Sequence, residues 1–272
     1  MNAYITSLQN KRVKDAIKLR RSRGRKAQDR ILIDGAREVL RAMEAGVDIL
    51  EVFVCEEQVQ RTEARSALEI GHARRTELVR VTPEVFRKLA FGAREEGLIA
   101  VAARPRSNWP TLPLTDNPLV VVLEHVEKPG NLGGVVRTAD AVGAAVLVAD
   151  PAADLYNPHA VRASLGAIFH VPVAAAASRE ILAWLQQRGM QVLAARVDGA
   201  MEYTEADYAR PTAIVLGSEA AGLSETWSER DIPAISLPLL GRVDSLNVSV
   251  TAGVLLYEAL RQRRARSQAS VR

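Results

Sequence analysis

The chain has 272 residues, enough for one large domain or two smaller ones, and its 48% apolar content can furnish a core. No apolar run reaches the ~18 residues that a membrane span needs, so none is expected. The opening stretch MNAYITSLQNKRVKDAIKLR lacks the apolar segment of a secretory signal. The one cysteine, Cys55, cannot form an internal disulfide and reads as a buried thiol. His72, His125, His159 and His170 show no metal-ligand spacing. A cytoplasmic, metal-free protein is expected. Net charge is only +4, but ten Lys or Arg residues lie from Lys11 to Arg30 against Asp15 and Asp29. Arg261, Arg263, Arg264, Arg266 and Arg272 crowd the other end. Basic ends on a near-neutral body point to a polyanionic partner.

Residues 1–30 read as a basic N-terminal arm, with 11–30 a helix or arm that becomes ordered on a partner. Ile31–Ile33 reads as a strand, and Gly35–Ala45 as a helix stopped by Gly46. Ile49–Cys55 follows as a strand, residues 57–70 as a polar helix, and Leu78–Val81 as another strand. Thr82 caps a helix with Pro83 at its first position, and Leu98–Ala102 is a fourth strand. Alternating elements imply a small α/β domain over 31–103. Four prolines in 104–118 (RPRSNWPTLPLTDNP) mark a stiff linker. From Leu119 the runs Leu119–Leu123, Ala145–Ala149, Gln191–Ala195, Ala213–Leu216 and Ala234–Leu237 read as strands of a mostly parallel sheet. Helices Gly133–Val142, Arg179–Arg188 and Val248–Arg264 separate or follow them. In such a doubly wound α/β layout a ligand sits beyond the carboxyl ends of the strands.

Three loops leave strand ends. In the first, Glu124 to Gly134, the pair Gly133–Gly134 reads as a helix opening suited to an anion, with Arg137 one turn in. The GxGxxG spacing of a dinucleotide site is absent. In the second, LGSEAAGLS, Gly217 and Gly222 have the spacing of a phosphate loop, but Leu223-Ser224 replaces its lysine, which argues against an ATPase. Glu219 there would meet hydroxyl, amine or cationic groups. The third loop, Pro238 to Asn247, ends in potential helix caps before the apolar run Val248–Leu260.

The motifs Asn131-Leu-Gly-Gly-Val-Val-Arg137, Leu216-Gly-Ser-Glu219-Ala-Ala-Gly222-Leu and Ile235 to Val250 together resemble the SpoU/TrmH family of RNA ribose 2′-O-methyltransferases, in the SPOUT superfamily. Tyr156–Val173 is also similar, and the resemblance covers Leu119–Arg264. The resemblance implies an α/β fold with a C-terminal trefoil-knotted domain over 119–265. Before it would stand a small α/β RNA-binding domain similar to ribosomal proteins. It implies S-adenosylmethionine as cofactor, held by backbone around Leu216, Gly217, Leu237, Leu239 and Leu246. It carries the active-site roles onto Arg137, Asn131, Glu219, Ser245 and Asn247. Arg137 would hold the target phosphate and stabilise an alkoxide, because a guanidinium is a poor base. A homodimer sharing the site across knotted domains is implied, with neither metal nor membrane. Ribosomal RNA of the large subunit is favoured over tRNA, since the extra N-terminal domain is more than minimal tRNA enzymes need. A catalytically silent RNA-binding or ribosome-assembly protein would be expected to lose Arg137, Asn131 or Asn247, and all three are present.

Overall fold

The structure is a computed structural model and describes residues 4–91, 96–106, 108–152, 154–218, 221–228 and 231–269. The first elements are β1 (Tyr4–Ile5), α1 (Lys11–Lys18), α2 (Ser22–Gln28), β2 (Arg30–Asp34), α3 (Ala36–Glu44), β3 (Ile49–Val54), α4 (Thr62–Ala73), β4 (Glu77–Val81), α5 (Pro83–Leu89) and β5 (Leu98–Ala103). Then come β6 (Leu119–Glu124), α6 (Pro129–Val142), β7 (Ala145–Ala149), α7 (Pro158–Ala163), β8 (Val173–Ala176), α8 (Ser178–Gln187) and β9 (Gln191–Ala195). The chain ends with β10 (Met201–Glu202), β11 (Thr212–Leu216), β12 (Ala234–Ser236) and α9 (Val248–Ala269). Two compact units divide it: Met1–Arg106 with Asp154–His170, and Ser107–Ala153 with Val171–Arg272.

The first unit is built on a mixed sheet ordered β1-β4-β3-β5-β2. Its apolar core joins Leu32, Phe53, Val79, Phe86 and Ile99 to Val13, Ala16 and Leu19. The stretch 11–30 is therefore not an arm waiting for a partner. Val13 and Ala16 recur three residues apart, so α1 turns one apolar edge into the core while its lysines face water. Asn10 caps α1 by accepting from the Arg12 amide at 2.9 Å. Arg25 is buried and pairs with Asp154 at 2.7 Å. Thr82 caps α5 with Pro83 in its first turn, as the sequence predicts. Cys55 is buried.

The second unit carries a sheet ordered β10-β12-β9-β11-β6-β7-β8, with every pairing parallel. Strands such as Leu119–Glu124 are buried along their whole length, which explains their unbroken apolar runs. The predicted strands 119–123, 145–149, 191–195 and 213–216 all belong to it. Strand β8 escaped prediction because three of its four residues are alanine, a weak strand former. Part of the proline-rich stretch is strapped to this unit rather than spanning free. Leu112 is buried in its core, Trp109 and Leu114 pack against it, and Trp184 Nε1 donates to the Pro110 carbonyl at 2.8 Å.

Candidate active site

A pocket of about 450 Å³ opens in the second unit where β9, β11 and β12 end. Its walls include Ala195 at the end of β9 with Arg196 after it, Leu216 at the end of β11 with Gly217 after it, and Leu237 and Leu239 after β12. Ser245, Leu246, Val248 and Thr251 close it from the loop before α9 and from α9 itself. The carboxyl ends of parallel strands leave backbone groups free beyond the last ladder bond, so a ligand can be held there by main chain. Apolar side chains line much of this wall yet stay partly exposed: Leu237 and Leu239 are half-buried and Leu246 is 37% exposed.

The wall after β11 is a tight reversal. The Ser218 and Gly222 amides donate to each other's carbonyls at 3.1 and 3.0 Å. Gly217 admits no side chain, because a Cβ there would lie 2.3 Å from the Gly222 backbone. Glu124, at the end of β6, fastens this loop. Its Oε1 accepts from Ser178 Oγ, Ser224 Oγ and Trp227 Nε1, and its Oε2 from the Ser224 amide, each at 2.7 Å. Burial alone pushes the Glu124 carboxyl up, but these donors outweigh it and hold the group below its ordinary range. The pocket wall is thus tied to an ionised carboxylate that water does not reach.

On the side of α9, Asn247 serves two ends at once. Its Oδ1 accepts from the Ser249 amide at 2.9 Å and from Ser249 Oγ at 2.6 Å, which caps α9. Its Nδ2 donates to Asn131 Oδ1 at 3.2 Å, joining α9 to the first turn of α6. Helix α6 starts at Pro129, not at Gly133 as the glycine pair led the sequence reading to expect. The two glycines lie inside the helix, and Gly134 serves packing. A Cβ on Gly134 would stand 3.2 Å from Ser249 Cβ, so its absence lets α6 and α9 approach closely. Arg137 is consequently in the third turn of α6, and the helix N-terminus is not the anion site predicted around it. Arg137 is exposed and carries no ion pair among the described residues.

Of the residues singled out from sequence, Leu216, Gly217, Leu237, Leu239, Ser245 and Leu246 line one pocket. Asn131 and Asn247 are bonded to each other, and Arg137 stands six residues beyond Asn131 on the same helix. Glu219 lies outside the described residues. Sequence reading missed Arg196, Val197 and Asp198, which line the pocket, with Arg196 and Asp198 paired at 2.8 Å. A signal existed: they follow a predicted strand directly, where the strand-end rule places ligands.

The model of the SpoU rRNA methylase family matches residues 118–257, and that of an MRM3-like substrate-binding domain matches residues 10–100. A 23S rRNA (uridine(2479)-2′-O)-methyltransferase of Streptomyces viridochromogenes is 32% identical over 242 residues, covering 85% of this chain and 83% of that protein. A solved RNA 2′-O ribose methyltransferase superposes with a TM-score of 0.84 at 38% identity, covering 96% of this chain and 99% of that one. The SpoU methyltransferase AviRb of Streptomyces viridochromogenes, solved with AdoMet, superposes with a TM-score of 0.84 at 28% identity, covering 94% and 99%. Since the family model spans the whole pocket-bearing sheet from β6 into α9, and relatives align over nearly the full length, the chain belongs to the SpoU rRNA methylase family.

Proposed function

We propose that this chain transfers a methyl group from S-adenosylmethionine to a ribose 2′-hydroxyl of large-subunit ribosomal RNA. The observation that carries the reading is the pocket at the ends of β9, β11 and β12, closed by the loop whose Asn247 meets Asn131 on the helix of Arg137. Its residues fit the cofactor. The volume is in the range of small-molecule sites. Leu216, Leu237, Leu239 and Leu246 offer apolar surface to an adenine, and Asp244 lines the pocket with a carboxylate suited to a cationic ligand. When bound, the cofactor supplies an electrophilic methyl on a sulfonium.

The chain's own groups supply position and charge. Arg137, exposed and without an ion pair among the described residues, would bind the phosphate beside the target ribose and stabilise the developing alkoxide. It stays protonated and does not act as the base. Asn131 and Asn247 hold each other and so fix the edge where the ribose would enter. Ser245, two residues before Asn247, lines the pocket, and Glu219 is assigned to positioning one of these side chains or balancing charge. Holding hydroxyl and methyl donor in line is itself a large part of the acceleration.

The loop and α9 that follow β12 are the segment we assign to a trefoil knot. A homodimer is supported by α9, whose buried stripe Ala252, Leu255, Leu256 and Ala259 is opposed by exposed Val250 and Tyr257. A cytoplasmic location fits a ribosomal substrate, and no helix among the described residues is long and apolar enough to cross a membrane. Replacing Arg137 by Ala should lower methyl transfer by about 10²–10³-fold while cofactor binding by calorimetry persists. An unchanged rate would remove Arg137 from the mechanism. Mapping 2′-O-methyl groups in total RNA with and without the protein tests the substrate; methylation confined to tRNA would overturn the ribosomal assignment.

A further inference from the structure

The cations of residues 11–30 divide into two sets. Three serve the fold of the first unit. Arg12 reaches Glu51 and Glu77 at 2.7 and 2.6 Å, Arg20 donates to the Ala90 carbonyl at 2.7 Å, and Arg25 is buried against Asp154. The rest face solvent, Arg30 of β2 and six others. Lys11, Lys14 and Lys18 recur at three- and four-residue spacing and so share one face of α1. Arg21 precedes α2, and Arg23 and Lys26 share an exposed face of it, opposite the buried Arg25. Only Lys18 has an ion pair among these six within the described residues, to Asp15 at 2.8 Å.

Lys18 and Lys26 stand in last turns, where the dipole favours a cation, but the rest of the arrangement opposes helix stability. Lys11–Lys14, Lys14–Lys18 and Arg23–Lys26 are like-charge pairs at helical neighbour spacing. Neither helix has an acidic residue in its first turn, where the dipole favours one. Exposed positions that needed only solubility could carry mixed charge at no such penalty.

We propose that the exposed face of α1 and α2 is a phosphate-binding surface that grips the RNA backbone irrespective of sequence. The inference rests on the RNA-substrate reading and adds where and how the first unit holds the RNA. Cations on short helices, without exposed aromatic side chains among them, meet phosphate oxygens and not base edges. Their effect is to raise affinity through counterion release, leaving choice of nucleotide to the pocket-bearing unit.

The test compares the full-length protein with a Lys11→Gln, Lys14→Gln, Arg23→Gln, Lys26→Gln variant. Binding to an unstructured RNA oligonucleotide and to an rRNA hairpin of unrelated sequence is followed over a potassium chloride series. Both affinities should fall together, and the slope of log affinity on log salt should flatten by roughly 0.7 per cation removed. A single Arg12→Gln variant, which breaks a fold-serving ion pair, should melt earlier without that change in slope. Unchanged affinity and slope in the fourfold variant would overturn the proposal, as would a loss confined to one RNA, which would mean base readout. Methyl transfer by the wild type separates the two readings. If it fails while RNA binding shifts as expected, the enzymatic reading falls and the surface stands. If it proceeds and binding does not shift, the reverse holds.

Discussion

At the scale of single residues, two buried carboxylates pull the pH dependence of stability in opposite directions. Glu124 has a depressed folded-state pKa, so its contribution is full above the ordinary value of 4.5 and is lost as pH falls through the folded value. Glu124→Gln keeps an oxygen for three of the donors but turns an amide N–H₂ on the Ser224 amide. We expect a loss of about 2–4 kcal/mol at neutral pH and weaker cofactor binding, with the acid limb of the stability curve flattened. Urea titrations at pH 7 and pH 4 check both; equal losses at the two pH values would refute the ionised assignment. Asp34 is the reverse case. Burial pushes its carboxyl up to about 6, against the opposing pull of the Phe91 amide and of Arg162. The charged form is therefore disfavoured in the fold; the penalty is full above about pH 6 and fades as pH falls toward 3.8. Asp34→Asn, whose amide oxygen can still accept from Phe91, should be more stable than the wild type at pH 7.5 by on the order of 2 kcal/mol and equal to it near pH 4. A less stable variant at pH 7.5 would show that the carboxylate is compensated after all.

At the scale of elements, α9 carries two apolar stripes. Ala252, Leu255, Leu256 and Ala259 are fully buried, while Val250 and Tyr257 are 52% and 54% exposed on the other side. One stripe seats the helix on its own unit; the other is the surface assigned to a second copy. Tyr257→Glu should convert a dimer into a monomer in sedimentation velocity with the fold retained by circular dichroism, and a monomeric wild type would end the assignment. Such elements differ in how far the sequence discloses them. The β6 run Leu119–Leu123 is apolar at every position because both faces are covered, so it was legible. Gly133–Gly134 looks like an opening and places the start of α6 four residues late, whereas Pro129 is the better sign of a first turn. The packing role of Gly134 depends on Ser249, more than a hundred residues away, and no local pattern encodes it. The same holds for Glu124, whose donors come from Ser178, Ser224 and Trp227. The pocket leucines emerge through motif resemblance, since patterning alone makes Leu237 the end of a strand and Leu239 and Leu246 loop residues.

At the scale of the whole molecule, the two units are interleaved along the chain. Residues 154–170 leave the parallel sheet after β7, join the first unit, and return before β8. The join is made by a buried pair: Arg25 and Asp154 have side chains 1% and 7% exposed and meet at 2.7 Å. Arg25 also donates to the carbonyls of Leu19 and Arg20 at 2.8 and 3.0 Å, so its charge is satisfied on several sides. Asp154 also meets Arg104 at 3.4 Å, a longer and more exposed contact, so removing Arg25 leaves the carboxylate with its weaker cation and costs on the order of 3 kcal/mol, whereas replacing both buried members with apolar groups need not destabilise. Arg25→Met should therefore be strongly destabilising, and adding Asp154→Leu should recover part of the loss, with a coupling energy above ~1 kcal/mol in denaturant unfolding. Additive effects of the two substitutions would mean that Arg25 acts through its carbonyl contacts alone. The same pair predicts how a truncation behaves. Deleting residues 1–105 removes both cations of Asp154, Arg25 and Arg104, and also Arg41, which donates to the Leu165 carbonyl at 2.8 Å. The remaining chain would then expose 154–170 as an unpartnered loop, and limited proteolysis should cut there in the truncated protein but not in the full-length one. Protection of that loop in the truncated chain would mean that the excursion holds its structure without the first unit's helices.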